Sequence, residues 1–328
     1  MKRSWVIRTV VAITLSTCLI VALLSMGQPQ TLGAVFTRVS LVDIGIWIVL
    51  YGILVLFRAI RFQQAYPKVG LQTLIRAISV QGGLNRIMPF RLGELSLPYL
   101  ISQREVQPSG AILFALGWVR LLELFLVCSG MAVGGFLMRI QSNDASVIVG
   151  ASVTVFAILI FVVVDPTKVA QALSRAMVNA QDGVDRLGTK VGRYWCSAAD
   201  SLSQLPPIER IARFKLMFWS ILVYVTTLGL YLLMLEGIGL SVTISGLLIG
   251  VGAAQLSSVL PVLTLGSVGL HEAGWVGGFV MVGMSTDAAI SSGILTQCST
   301  LFLALFYGGF AYLVISKESQ TASATSRF

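Results

Sequence analysis

The 328-residue chain is poor in charge and in the side chains that carry chemistry in soluble enzymes. Charged residues make up 11% of it, and it has a single histidine. A soluble globular domain carries about 25% charged residues, so this composition excludes an ordinary soluble fold. No P-loop nucleotide motif and no Ser-His or Cys-His constellation stands in the sequence. We therefore expect neither a cofactor nor an enzymatic activity.

Cysteine is scarce as well, with four residues in the chain. Cys18, Cys128 and Cys298 lie in apolar runs, and Cys196 lies in a basic stretch. Their spacing fits neither a metal site nor a disulfide framework. We expect them to be buried as small apolar side chains.

Long apolar runs are what the sequence has in abundance, because 56% of its residues are hydrophobic and its mean hydropathy is +0.87. A membrane-spanning helix needs roughly 20 apolar residues. The composition predicts an all-α polytopic membrane protein. The first run follows Met1 without a small-residue cleavage site, so we interpret it as a helix that stays in the protein. Six full spans are predicted, at residues 5–26, 39–57, 109–137, 146–164, 215–236 and 287–315.

Basic residues outnumber acidic ones, 23 to 14, and they fall between the apolar runs. This distribution is typical of topology signals and lipid-headgroup contacts, and it argues against nucleic acid as a partner. Residues 58–104 and 165–215 are rich in arginine and lysine, which predicts a cytoplasmic location for both segments. Both termini are then expected in the cytoplasm.

Two further apolar stretches, 70–100 and 243–284, are interrupted by glycine, proline and charge, which predicts broken or re-entrant helices. The two stretches enter from opposite sides in this topology, so residues 39–137 and 215–315 are expected to form an inverted repeat. Residues 165–214 are expected to hold either an interfacial amphipathic helix or a solvated linker. The predicted order is a first helix and outer loop (1–38), the first repeat (39–137), a helix (138–164), the cytoplasmic region (165–214), the second repeat (215–315) and a disordered tail (316–328).

The first interrupted stretch concentrates polar residues that a membrane interior tolerates only around a cavity or a paired site. Pro89 and Gly93 are expected to shape its turn, and Asn85, Arg91 and Glu94 to line a vestibule where an arginine fork binds a lipid phosphate. The alternative is that Arg91 and Glu94 form an ion pair at the cytoplasmic interface.

A second charged pair lies inside the span 109–137. Arg120 and Glu123 are three residues apart, so they project from one face of a helix near mid-depth. They either neutralise each other or bind substrate, and in both cases they mark an interior polar face.

The second interrupted stretch offers a matching constellation. Pro261, Gly266 and Gly269 are expected to build a turn, after which Glu272 opens a short helix. His271 stands beside Glu272 and is either a structural group or a participant in proton movement.

Taken together, the pattern N-x-x-x-P-x-R-x-G-E from Asn85, the R-x-x-E pair and the later G-x-x-G-x-x-E resembles the lysylphosphatidylglycerol synthase transmembrane-region family, also called flippase-like or UPF0104 proteins. The resemblance covers about 5–315 and implies a location in a bacterial or archaeal cytoplasmic membrane. The family usually has arginine at His271, aspartate at Glu123 and often arginine near Gln297. Two cations of the family pattern, at His271 and near Gln297, are therefore missing from this chain.

The resemblance implies a lipid translocase, in which a headgroup passes through an interior polar cavity between the two broken segments. The expected substrate-binding residues are Asn85, Arg91, Glu94, Arg120, Glu123, His271 and Glu272. The expected partner is a membrane lipid, either an anionic phospholipid or a polyprenyl-phosphate-linked one. Because the chain ends at Phe328, we expect no synthase domain. The alternative function is a non-catalytic scaffold for a lipid-modifying or glycosyl-transferring enzyme.

Overall fold

The computed structural model describes most of two regions of the chain and part of the segment between them. The first region is 37–139, with gaps at 66, 68, 89–91 and 103–108. The second is 209–325, with a gap at 260–268. Between them it describes 166–179 and residues 196, 199, 200 and 203. The predicted turn residues Pro89, Pro261 and Gly266 and the predicted ligand Arg91 lie outside the described residues.

The secondary structure of the described residues is helical, which confirms the expected all-α class for this part of the chain. A 3-10 turn, Leu92–Leu95, follows α2. The α-helices are α1 (Leu41–Ala65), α2 (Leu71–Ile87), α3 (Ser96–Ser102), α4 (Ser109–Arg139), α5 (Pro166–Asn179), α6 (Arg210–Gly237), α7 (Ile244–Val259), α8 (Leu270–Met281) and α9 (Thr286–Thr325).

Four of these helices are long and apolar enough to cross a membrane. Four predicted spans coincide with them, and the predicted spans 5–26 and 146–164 lie outside the described residues. Two of these helices continue well beyond the predicted spans: α1 runs eight residues past residue 57, and α9 runs ten residues past residue 315. The tail that was expected to be disordered from residue 316 is therefore helical as far as Thr325. The four apolar spans are Leu41–Ala65, Ile112–Met138, Arg210–Gly237 and Thr286–Ser316.

The outer surface of the long helices is apolar. Val49, Phe218 and Phe310 are each more than half exposed, as expected for side chains that face lipid rather than water. Cys128 and Cys298 are also exposed, so the expectation that they are buried was wrong. An apolar run in a membrane protein has a lipid-facing side as well as a core side, and hydropathy does not distinguish the two.

Both interrupted stretches are built from pairs of shorter helices. In the first, α2 ends at Ile87 and the chain resumes in the 3-10 turn and α3. In the second, α7 ends at Val259 and α8 begins at Leu270. Each half of the chain therefore has the same order of elements: a long helix, two shorter helices and another long helix.

The two halves pack extensively against each other. Helix α1 lies along α6, α2 lies along α9, and α4 lies along α7. Glycine allows the closest of these approaches. A Cβ at Gly308 would lie 2.9 Å from the Ser79 carbonyl oxygen, and one at Gly252 would lie 2.3 Å from Met131 Cγ. Small residues that let backbones approach are a common device of helix packing in membranes.

Helix α5 belongs to the segment for which an amphipathic helix and a solvated linker were both considered. Its Ser174 hydroxyl is buried and donates to the Ala199 carbonyl oxygen at 2.8 Å, while Lys168 and Val178 are exposed. A helix is therefore present in this segment, with a polar contact to the chain that follows it.

Candidate functional site: a polar cavity between the two halves

A cavity of about 770 Å³ lies among the helices of both halves. Residues of α1, α2, the 3-10 turn, α3 and α4 line it from the first half, and residues of α6, α7, α8 and α9 line it from the second. Its charged lining residues in the described part of the chain are four arginines and two glutamates, which gives a formal net charge of +2 (4 − 2). These residues are Arg58, Arg61, Arg86, Arg120, Glu94 and Glu123.

A chain of ion pairs joins three elements along one wall of this cavity. Arg120 of α4 donates to Glu94 of the 3-10 turn at 3.0 Å and also to Glu123, one turn further along its own helix. Glu123 accepts a further hydrogen bond from Arg61 of α1 at 2.6 Å. The alternating charges compensate one another, which is the condition under which ionised side chains persist at membrane depth.

Glu94 is positioned by a tight contact between the 3-10 turn and the end of α2. A Cβ at Gly93 would lie 2.4 Å from the Asn85 backbone nitrogen, so only glycine fits at this point. The approach places Glu94 toward Arg120 and sets Asn85 into the lining of the same cavity. The predicted turn role of Gly93 therefore has a steric basis.

The sequence pattern predicts that Arg58 and Arg61 lie beyond the end of a span, as topology signals. They belong instead to the final turns of α1, and Arg61 is only 4% exposed. Both line the cavity, as does Arg86. Three of the arginines that favoured a cytoplasmic location for residues 58–104 thus face the protein interior.

The opposite wall carries a second group of polar side chains. Arg86 of α2 donates to the Gln297 side-chain oxygen on α9 at 2.9 Å. The Tyr231 hydroxyl of α6 lies 3.4 Å from His271 Nε2, and the His271 ring stacks near Trp275. His271 is buried, so it is part of a packed aromatic group that borders the cavity.

Glu272 caps the helix that it was expected to open. Its carboxylate accepts a 2.7 Å hydrogen bond from the Gly269 backbone N–H, directly before α8 begins at Leu270. Gly269 has a φ of +86°, a conformation that favours glycine. Glu272 is buried and is absent from the cavity lining, so its visible role is to fix the start of α8.

The sequence model of the lysylphosphatidylglycerol synthase TM region matches residues 6–308. The chain belongs to this family. It is accordingly a multi-pass membrane protein with a flippase-like domain. Comparisons with curated proteins and with solved structures gave no significant match.

In this family member, the residues singled out from sequence fall into three places. Glu94, Arg120 and Glu123 form one ion-pair network, with Asn85 beside it. His271 and Glu272 belong to the start of α8. Arg91 lies outside the described residues. Sequence reasoning missed the lining residues Arg58, Arg61, Arg86 and Tyr231, along with the bond from Arg86 to Gln297.

A signal for Arg61 was present in the sequence. Arg58 and Arg61 are three residues apart and directly follow an apolar run, which is the spacing that drew attention to Arg120 and Glu123. The network that results places several guanidinium groups in the lining of one cavity. Guanidinium groups present planar, permanently charged donor forks, which match phosphate oxygens.

Proposed function

We propose that the protein is a lipid translocase, in which a lipid headgroup passes through the cavity while the acyl or prenyl chains stay in the bilayer. The observation that carries this proposal is a cavity of about 770 Å³, lined by four arginines, among helices whose outer faces are apolar. Inserting an arginine side chain at the centre of a membrane helix costs about 2.5–3.5 kcal/mol. Four arginines in one cavity are therefore expected to serve a function such as binding an anionic group.

The arrangement of the two halves supports the same proposal. By order along the chain, α1 corresponds to α6, α2 to α7 and α4 to α9. When each helix is exchanged with its counterpart, the contact of α2 with α9 becomes the contact of α7 with α4, and the contact of α1 with α6 stays the same. A two-fold relation of this kind is expected of an inverted repeat, the architecture that many transporters use for alternating access. In this proposal the chain lies in a bacterial or archaeal cytoplasmic membrane, with both termini in the cytoplasm.

Leaflet exchange in proteoliposomes tests the proposal. Fluorescent phospholipids and a polyprenyl-phosphate analogue are incorporated, and the fraction accessible to an external quencher is followed with time. We expect exchange above that of protein-free vesicles for at least one lipid. Arg120→Gln should slow it by about tenfold or more, because a hydrogen bond to a charged group contributes about 1.5–3 kcal/mol.

Arg210→Gln is the matched control, since Arg210 is an exposed residue at the start of α6 and does not line the cavity. Proteoliposomes that contain Arg210→Gln should exchange lipid between leaflets at the wild-type rate. If no lipid exchanges with wild-type protein that is correctly folded, the translocase proposal fails. A scaffold for a lipid-modifying or glycosyl-transferring enzyme then becomes the function to test.

A further inference from the structure

The glutamates of the cavity are already engaged by arginines. Glu94 is paired with Arg120, and the two carboxylate oxygens of Glu123 accept from Arg61 and Arg120. A headgroup with an ammonium group would have to displace one of these guanidinium groups to reach a carboxylate. The described lining therefore has no carboxylate that is free to bind a cationic headgroup.

Arg58 is in the opposite situation. It lines the cavity and makes no hydrogen bond or ion pair with another described residue. The other three arginines of the cavity each bind a glutamate or Gln297. Arg58 therefore adds a positive charge to the cavity lining without a carboxylate partner in the described part of the chain.

The unused hydrogen-bonding atoms of the arginines strengthen this conclusion. Nε of Arg58, Nε and Nη1 of Arg61 and Nε of Arg120 are buried and have no acceptor within the described part of the chain. An arginine N–H can only donate. A buried donor without an acceptor is costly, so a ligand that brings several acceptor oxygens would be favoured here.

We propose that Arg58 is the primary contact for the phosphate group of the transported lipid, and that the site selects anionic headgroups that carry no cation. This inference rests on the proposed function and narrows it to a substrate class. Arg61 stands one helical turn from Arg58 and supplies further donors, while Glu123 keeps Arg61 in place. The phosphate belongs either to a phosphodiester lipid or to a phosphomonoester lipid.

Binding measured apart from transport tests this site. Isothermal titration calorimetry on the full chain in detergent would use dihexanoyl phosphatidylglycerol, phosphatidic acid and phosphatidylcholine, with a short-chain lysyl-phosphatidylglycerol as the cationic competitor. We expect both anionic lipids to bind more tightly than the other two. Tighter binding of phosphatidic acid identifies a phosphomonoester site, and tighter binding of phosphatidylglycerol a phosphodiester site.

Variants at position 58 decide the role of the arginine. Arg58→Gln should weaken binding of the anionic lipids by about tenfold or more, Arg58→Lys should restore part of the loss, and Arg210→Gln should leave binding unchanged. The melting temperature of each variant shows whether it is folded. Wild-type affinity in folded Arg58→Gln, or a preference for lysyl-phosphatidylglycerol, overturns the inference.

The two proposals fail separately in these experiments. Arg58-dependent binding of anionic lipids without leaflet exchange would retain the phosphate site and reject the translocase. Leaflet exchange with binding that is indifferent to Arg58 would retain the translocase and reject the phosphate site.

Discussion

Replacing Glu123 by glutamine tests whether the ion-pair network stabilises the fold as the contacts suggest. Glutamine keeps the volume of the side chain and one acceptor oxygen but removes the charge. Arg61, 4% exposed, then loses its anionic partner, while Arg120 keeps Glu94. The substitution therefore isolates the effect of leaving one buried guanidinium group uncompensated.

The size of the effect follows from the different burial of the two arginines. Removing one partner of a buried ion pair costs about 3–5 kcal/mol, because the remaining charge stays buried. The Arg120 side chain is 37% exposed, so its lost contact with Glu123 should add no more than about 1 kcal/mol. The total of about 3–6 kcal/mol, at about 2–4 °C per kcal/mol, should lower the apparent melting temperature of Glu123→Gln by roughly 6–24 °C.

The assay is thermal unfolding of the detergent-solubilised protein, followed by intrinsic fluorescence. Glu209→Gln is the control, since Glu209 is exposed and makes no side-chain hydrogen bond at the start of α6. It should change stability by no more than about 0.5 kcal/mol. The double variant Arg61→Gln/Glu123→Gln should be more stable than Glu123→Gln alone, because no uncompensated charge remains. A wild-type melting temperature for Glu123→Gln, or additive losses in the double variant, would refute this reasoning.

Two other predictions concern the packing of the halves and the start of α8. Gly308→Ala should cost about 1–3 kcal/mol, because its Cβ would lie 2.9 Å from the Ser79 carbonyl oxygen, whereas Gly309→Ala meets nothing within 4 Å and should be tolerated. Equal melting temperatures of these two variants would contradict the close approach of α2 and α9. Glu272→Ala should cost about 1.5–3 kcal/mol by removing the acceptor of the Gly269 N–H, and Glu272→Gln should cost less because an acceptor oxygen remains. The same thermal assay checks this order, and a fully stable alanine variant would exclude the cap.

Local sequence signals predicted the features that depend on a few neighbouring residues. Arg120 and Glu123 could be paired from their spacing alone, because residues three apart share a helix face. The start of α8 could be placed from a glycine followed three residues later by an acid, since that combination suits a helix N-terminus. The interruption of both stretches, 70–100 and 243–284, followed from glycine and proline within apolar runs.

Contacts between distant parts of the chain could not be predicted in this way. Arg61 binds a residue 62 positions away, and Arg86 binds one 211 positions away. Hydropathy shows only that each arginine interrupts or ends an apolar run. Because an arginine in such a place can extend to the membrane surface or point into the protein, hydropathy does not predict its partner. Glu94 pairs with Arg120 of another helix, a contact that no local spacing indicates.

The sequence by itself determined that this is a helical membrane protein with two interrupted segments, because apolar length, charge scarcity and helix breakers are local properties of the chain. Only the tertiary structure decided which charges meet. The packing of α1 against α4 gives Glu123 a second arginine, and the packing of α2 against α9 gives Arg86 its glutamine. Arg58 remains without such a partner in the described part of the chain, and this follows from the geometry of the folded helices rather than from its neighbours in sequence.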